Sequence, residues 1–348
     1  MARLVHRQRP VAMSEYDPSW WCRGGHRMTL AVWARPRRFP HLPRGERRFF
    51  AAGDRTYVLG DCNWQPRRDE HPVLVALHGL EASSDAHYMK GLAEKAWLRG
   101  FSVVRLNQRS CGGTEHLAPG LYHSGLTADT RAVVRELIDR DRVPAVALAG
   151  YSLGGNIALK LAGEYGAAAP PELAAVCAVS PPIDLARAVT LLERRVNRVY
   201  QWDFLRCLKR RIRRKRAVFP ERYSTRGLWR VRTMRAFDDR YTAPDNGFRD
   251  AGDYYERAGA IHAIPRIAVP TLIISALDDP FIPAQSFHDP RVVANPHIAV
   301  LLPDRGGHCG FLSKRCGDHD GYWAEWRVAE FVREAIDARR DARERKAG

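Results

Sequence analysis

Short apolar runs alternate with segments of helical spacing along most of the chain. Apolar runs bounded by turn-forming residues are typical of buried strands, whereas apolar residues three and four positions apart indicate helices with one buried face. We predict strands at 48–51, 56–59, 72–77, 101–106, 143–149, 174–180, 271–276 and 298–302, and helices at 88–99, 126–139, 156–162 and 323–338. This order predicts an α/β fold, in which helices flank a mostly parallel central sheet and catalytic groups lie at the carboxyl ends of the strands.

The stretch between residues 180 and 270 interrupts the alternation, because it contains aromatic and basic residues but no run typical of a buried strand. We interpret 185–249 as an inserted, mostly helical cap over the site. The core is then formed by 46–184 and 250–338. Residues 1–45 are expected to form an irregular arm that packs on the core, and 339–348 a solvated tail.

The positive charge of the chain is concentrated in the predicted cap. The formal net charge is +17, and residues 187–249 contain 19 Arg and Lys against 6 Asp and Glu, a net of +13. The densest run, 208–216, is compatible with a solvated helix face, with attraction to an anionic lipid surface or acidic substrate, or with nucleic-acid binding. Because the charge is local, we expect no nucleic-acid partner and keep peripheral contact with an anionic membrane as an open alternative.

Cysteine usage and hydropathy favour a cytoplasmic protein. The seven cysteines are scattered and form no Cys-x-x-Cys pair, so neither a disulfide framework nor a zinc site is indicated. No segment has the roughly 18 uncharged apolar residues that a membrane span requires, and residues 1–9 do not resemble a signal peptide. We therefore expect a cytoplasmic location, with peripheral attachment to the inner face of a membrane left open.

The five residues Gly-Tyr-Ser-Leu-Gly at 150–154 carry the first sign of chemistry. They follow a predicted strand and precede a predicted helix, the context in which a serine hydroxyl stands on a sharp turn beside free amides. Glycines two positions before and after the serine let strand and helix approach closely. Ser152 is therefore the candidate nucleophile.

A serine nucleophile needs a base within hydrogen-bonding distance and a carboxylate that orients the base. Asp278 and Asp279 follow the strand predicted at 271–276, and His308 follows the strand predicted at 298–302 after two glycines. The order Ser, Asp, His is that of α/β-hydrolases and differs from the two common protease orders. We favour Asp279 as the acid, with Asp278 as the alternative, and His308 as the base.

A second oxyanion donor is expected after the third predicted strand, where the sequence reads His-Gly-Leu-Glu at 78–81. The candidate donors are the backbone amides of Leu80 and Leu153. The backbone position matters here more than the side chain, so we interpret His78 as structural.

The motifs together resemble the YheT-like branch of the α/β-hydrolases, with its Emb8-type and ABHD-type relatives, from about residue 18 to 326. Besides the serine motif, the segments that carry the resemblance are 78–81, 107–113, 122–125, 237–239, 242–244, 247–248, 253–255, 278–281 and 307–311. Two departures are visible: Met28 replaces glutamine in an N-terminal Gly-Gly-His-x-Gln-Thr motif, and Ser110 replaces the glycine that often precedes Cys111. The roles of these two loops stay open, and we interpret Cys111 and His123 as structural.

The resemblance implies the α/β-hydrolase fold and a serine hydrolase of carboxylic esters without metal or organic cofactor. Its expected substrates are short- or medium-chain acyl esters or monoacylglycerol-like lipids. The family's nucleophile, acid and base fall on Ser152, Asp279 and His308. A thioesterase or acyltransferase of the same fold is the first alternative. A non-catalytic protein that binds nucleic acid or membrane is the second.

Overall fold

A single twisted sheet forms the centre of the protein. The computed structural model describes residues 3–4, 16–315 and 319–347. Its strands are β1 (Arg3–Leu4), β2 (Glu46–Gly53), β3 (Thr56–Asn63), β4 (Val73–Leu77), β5 (Ser102–Asn107), β6 (Val146–Tyr151), β7 (Leu173–Val179), β8 (Thr271–Ile274) and β9 (Ile298–Leu302).

The strand order is β1-β9-β8-β7-β6-β4-β5-β3-β2. Six neighbouring strands are mutually parallel, namely β9, β8, β7, β6, β4 and β5. The strands β1, β2 and β3 add antiparallel pairings at the two edges. Parallel alignment brings the carboxyl ends of β4, β6, β7, β8 and β9 to one edge of the sheet. The predicted, mostly parallel sheet is confirmed.

Helices cover both faces of the sheet. They are α1 (Gly25–Ala34), α2 (His87–Trp97), α3 (Thr127–Asp139), α4 (Leu153–Tyr165), α5 (Leu185–Leu192), α6 (Arg198–Val218), α7 (Met234–Phe237), α8 (Ala243–Asp245), α9 (Ala251–Ala258), α10 (Pro290–Val293) and α11 (Trp323–Ala347). Alternate residues of β4 enter different cores: Val75 packs with the layer of α3 and α4, and Leu74 with the layer of α2 and α11. Because both faces are buried, the central strands are continuous apolar runs.

The segment inserted between β7 and β8 is helical, as predicted, and no strand occurs in it among the described residues. Helices α5 to α9 lie within it. Its own apolar cluster includes Leu205, Ile212, Met234 and Phe237, and it also contacts Phe281 of the core. The insertion therefore has a small core of its own and packs against the loop that follows β8.

The predicted secondary structure is wrong in two places. The arm is not irregular throughout, because α1 forms at 25–34, where Met28 and Val32, one helical turn apart, pack against Leu312 and Tyr322. Residues 1–2 and 5–15 of the arm lie outside the described part. The last helix does not end at 338 but continues through the expected tail to Ala347, mostly with exposed side chains.

No helix in the described ranges combines the length and apolar character needed to cross a bilayer.

Candidate active site

Ser152 occupies a strained turn between β6 and α4. Its backbone has φ 51° and ψ −122°, a conformation that non-glycine residues rarely adopt. The turn is so tight that a side chain would not fit at either glycine that flanks Ser152. A Cβ on Gly150 would lie 2.1 Å from the carbonyl oxygen of Gly154, and one on Gly154 would lie 2.4 Å from that of Leu77. The turn separates the Ser152 hydroxyl from the strand and directs it to the carboxyl edge of the sheet.

The structure brings Ser152, His308 and Asp279 into one hydrogen-bonded chain. The Nε2 atom of His308 lies 2.9 Å from the Ser152 Oγ, and its Nδ1 atom lies 3.0 Å from the Asp279 Oδ2. The other oxygen of Asp279 accepts hydrogen bonds from the amides of Phe281 and Ile282, both at 3.0 Å. With its side chain fully buried, Asp279 is held in place from both oxygens.

Asp278, the alternative acid, makes a different contact. Its Oδ1 accepts a hydrogen bond from the amide of Gly307 at 2.8 Å. Burial raises the pKa of this carboxyl, and the backbone amides near it oppose the rise. Asp278 therefore braces the loop that carries His308, while Asp279 contacts the imidazole.

The environment of His308 decides when it can accept a proton. Burial disfavours the imidazolium, whereas the Cys309 and Asp279 side chains favour it, and the balance raises the pKa of His308 above its ordinary value. A base must be neutral to accept the serine proton. The raised pKa therefore moves proton acceptance by His308 to more alkaline conditions than an unperturbed histidine would need.

The loop at 79–81 and the start of α4 both lie next to Ser152. Gly79 touches the serine so closely that a Cβ on it would lie 3.2 Å from the Ser152 Cβ. The amides of Gly79 and Glu81 donate to the hydroxyls of Tyr88 and Tyr122, at 3.0 and 2.9 Å. The amide of Leu80, between them, has no acceptor among the described residues, and neither has the amide of Leu153 at the start of α4. Both amides are thus available to a ligand.

The N-terminal motif with the methionine substitution supports the histidine loop, a role that sequence reasoning missed. Thr29 on α1 accepts a hydrogen bond from the amide of His308 through its Oγ1, at 2.8 Å. Gly25 lies so close to the Asp278 carbonyl that a Cβ there would be 1.7 Å from its oxygen. Met28 is fully buried in the cluster beneath α1. The motif at 24–29 was the one sign of this role in the sequence, but the residues it contacts lie about 250–280 positions away.

A largely apolar cavity opens beside Ser152 and His308. It encloses ≈ 900 Å³, including its open mouth. The core contributes Leu80 and Leu153, and the cap contributes apolar side chains such as Phe204, Leu208, Met234 and Phe237. This shape fits an apolar chain that ends in a reactive group at Ser152.

The cap is fastened to the loop of Leu80 by a buried ion pair. Arg211 of α6 lies 2.7 Å from the Oε1 of Glu81, and both side chains are less than a tenth exposed. Its guanidinium also lies 4.2 Å from the centre of the Tyr122 ring and donates to the Sγ of Cys111 at 3.1 Å. Tyr122 in turn donates to Glu81 at 3.2 Å. A basic residue of the cap thus holds the segment that presents the Leu80 amide.

The dense basic run is therefore divided between two environments. Lys215 is buried and donates to the carbonyl oxygens of Glu115 and Ala118, and burial lowers the pKa of its amine to about 8. Arg210, Arg213 and other members of the run are exposed. The interpretation as a uniformly solvated face is wrong for Arg211 and Lys215, because these two fasten the cap to the core.

The remaining candidate residues have structural contacts. Burial lowers the pKa of His78 to about 4, and its ring bonds the Gly79 carbonyl and the Gln108 amide. Burial also lowers the pKa of His123, which accepts a hydrogen bond from the Gly125 amide. Within the described residues, no group of three or more His, Cys, Asp or Glu side chains could hold a metal ion.

Comparison with known proteins identifies the family. Residues 72–315 match the family model described as the alpha/beta hydrolase fold. The chain belongs to the α/β-hydrolase family. Within this family it is 36% identical to the putative esterase YheT of Escherichia coli K12 over 284 residues, which cover 80% of this chain and 82% of that protein. The YheT-like assignment predicted from the motifs is confirmed.

Two further proteins are similar over most of the chain. The mouse phospholipase ABHD3 is 26% identical over 319 residues, which cover 89% of this chain and 76% of that protein. A solved structure of the Pyrococcus furiosus esterase Pf2001 matches with a TM-score of 0.54 and 16% identity, covering 83% of this chain and 92% of that chain. At that identity the structural match supports the fold alone.

The buried ion pair predicts a large difference between two neighbouring arginines. Arg211→Met leaves the Glu81 carboxylate buried without its partner, which should lower the free energy of unfolding by about 3–5 kcal/mol. Arg210→Met removes an exposed arginine that makes no ion pair with the described carboxylates and should cost at most about 1 kcal/mol. Urea unfolding of both variants measures the difference. Equal losses would contradict the assigned role of Arg211.

Proposed function

We propose that this chain hydrolyses carboxylic esters through an acyl intermediate on Ser152. The observation that carries the proposal is the hydrogen-bonded chain from Ser152 through His308 to Asp279 at the mouth of an apolar cavity. Nucleophile, base and orienting acid are the parts that acyl transfer by a serine requires. Similarity to a putative esterase and a phospholipase supports the same reaction class.

The reaction begins with proton transfer from Ser152 to the Nε2 of His308, as the serine oxygen attacks the ester carbonyl. The oxyanion that forms accepts hydrogen bonds from the amides of Leu80 and Leu153. Collapse of this intermediate breaks the bond to the alcohol, which takes the proton from His308 as it leaves. Asp279 holds the imidazole with its Nδ1 proton toward the carboxylate and stabilises the cation.

Water completes the cycle on the acyl enzyme. His308 removes a proton from the water, and the resulting hydroxide attacks the acyl carbonyl at the same oxyanion position. The second tetrahedral intermediate releases the carboxylic acid as Ser152 recovers its proton from His308. Every proton in both halves passes through one imidazole, so no other titrating group is required.

The apolar cavity favours lipid-like acyl esters as substrates. Phe204, Leu208 and Phe237 of the cap line the cavity that Ser152 enters. Burying a methylene group in such surroundings contributes about 0.8 kcal/mol, so each added carbon strengthens binding until the cavity is filled. We propose short- or medium-chain acyl esters and monoacylglycerol-like lipids.

We also propose the division of the chain into an arm at 1–45, a core at 46–184 and 250–338, a cap at 185–249 and a tail at 339–348, with a cytoplasmic location.

The exposed cations of the cap support peripheral contact with an anionic membrane. Arg198, Arg206 and Arg213 are exposed along α6, and Trp202 beside them is 65% exposed. Cations and interfacial tryptophans are the residues that hold proteins at lipid headgroups.

The nucleophile is tested by Ser152→Ala. Hydrolysis of a p-nitrophenyl acyl ester should fall by about 10⁴-fold or more, because no hydroxyl remains to form the acyl enzyme. Ser224→Ala is the matched control, since this exposed serine lies in the cap and outside the cavity lining. Unfolding curves establish that both variants fold. Turnover by Ser152→Ala at the rate of the control would overturn the assignment.

The acid is tested by comparing Asp279→Asn with Asp278→Asn across pH. The rate should rise with pH as His308 loses its proton. Because the Asp279 carboxylate raises the pKa of His308, its removal should move this rising limb to lower pH. The maximal rate should fall by about 10³–10⁴-fold, because the imidazole loses its orienting partner.

Asp278→Asn keeps an oxygen for the Gly307 amide and should leave the limb near its original pH. The pH profile of kcat/KM measures both effects. If Asp278→Asn shifted the limb and Asp279→Asn did not, the two aspartates would have the opposite roles.

A further inference from the structure

The cap helix α6 presents a second face, opposite the one that lines the active-site cavity. Phe204, Leu208 and Arg211, spaced by three and four residues, line the cavity beside Ser152. Residues at positions 198, 202, 206, 209 and 213 follow the same spacing on another side of the helix and line a separate groove. One helix therefore separates the cavity from the groove.

The groove is strongly cationic. It encloses ≈ 910 Å³, including its open mouth, and is lined by Gln201, Trp202, Leu205 and Val231 together with the cations Arg198, Arg206, Lys209, Arg213 and Arg232. Arg232 comes from the segment just before α7, so the cations approach the groove from two sides. No carboxylate lines it.

These charges are largely uncompensated. Arg206 pairs with Asp203 at 2.6 Å. No described carboxylate lies within ion-pairing distance of the other four cations of the groove. Burial together with the charges of Arg213 and Arg232 lowers the pKa of Lys209, which is the effect of cations that face one another. An anion in the groove would relieve this repulsion, whereas the isolated protein must tolerate it.

We propose that this groove binds a phosphate group. Arginine offers paired N–H donors that match phosphate oxygens, and lysine adds a mobile charge, so both residue types suit a phosphate monoester or diester. The ligand is either the headgroup of an anionic phospholipid at a membrane surface or a soluble phosphate ester. The exposed Trp202 at the groove favours the lipid headgroup, because tryptophan is enriched at the interface between lipid and water.

A headgroup in the groove would orient the enzyme on the membrane. An α-helix with its side chains is about 10–12 Å across, so the headgroup would lie roughly that far from the cavity, behind α6. The inference rests on the proposed membrane contact for its lipid source and is independent of the proposed ester hydrolysis. The two can therefore fail separately.

Vesicle sedimentation tests the groove. The groove variant Lys209→Gln/Arg213→Gln/Arg232→Gln is compared with the control variant Arg44→Gln/Arg55→Gln/Arg345→Gln, which removes the same charge from exposed positions outside the cap. The wild-type protein should bind phosphatidylcholine vesicles that contain phosphatidylglycerol and should not bind pure phosphatidylcholine vesicles. The groove variant should lose about 100-fold in affinity for the anionic vesicles, and the control variant less than about tenfold.

Two soluble probes separate the sources of the phosphate. Inorganic phosphate and glycerol 3-phosphate are titrated into the wild-type protein by calorimetry and added as competitors in the vesicle assay. Binding that the groove variant loses, with displacement from vesicles, supports a soluble phosphate ester as the ligand. Vesicle binding that neither probe displaces supports the lipid headgroup.

Two results would overturn the proposal. The first is an equal loss of vesicle binding in the groove and control variants, which would mean that net charge alone attracts the protein. The second is binding of the wild-type protein to neither vesicles nor soluble phosphates. Labelling of Ser152 by a fluorophosphonate in the same preparations reports on the triad separately. Loss of phosphate binding by the groove is thereby distinguished from loss of reactivity at Ser152.

Discussion

The close crossing of backbone around Ser152 is the constraint on which the rest of the structure depends. Strand β6, helix α4 and the loop after β4 meet where the glycines at 150 and 154 leave no space for a Cβ and a Cβ on Gly79 would lie 3.2 Å from that of Ser152. The strained φ of Ser152 persists because these elements hold it on three sides. Any widening of the crossing would move the hydroxyl away from the His308 imidazole and from the two free amides at once.

Long-range contacts turn this crossing into a complete site. The loops after β8 and β9 bring Asp279 and His308 to the serine, while Thr29 of α1 fixes the His308 amide. From the other side, Arg211 of the cap neutralises Glu81 beside the Leu80 amide. Helix α1, the loops after β8 and β9, and helix α6 therefore each contribute a contact that positions one part of the proposed reaction centre.

The sequence predicts what depends on local pattern. The apolar runs place the strands, and the order of Ser152, Asp279 and His308 after particular strands places the proposed triad, because parallel strands end at one edge. The choice between Asp278 and Asp279 requires the geometry of the turn, because both residues follow the same strand and their positions in the sequence do not distinguish them. The roles of Thr29 and Arg211 could not be assigned from the sequence, because their partners are distant along the chain. The sequence of a basic run also does not show which of its arginines are buried. Helix α1 was missed for the same reason, since Leu312 and Tyr322 complete its core.

The central claim is that ester cleavage passes through a covalent acyl group on Ser152. It is tested most directly by quenching the enzyme in acid during turnover of a slowly deacylated ester and locating the added acyl mass by peptide mass spectrometry. We expect a single acyl group on the peptide that contains Ser152, formed and lost at rates that support turnover. Turnover without an acylated peptide, or with the acyl group on another residue such as Cys309, would contradict it.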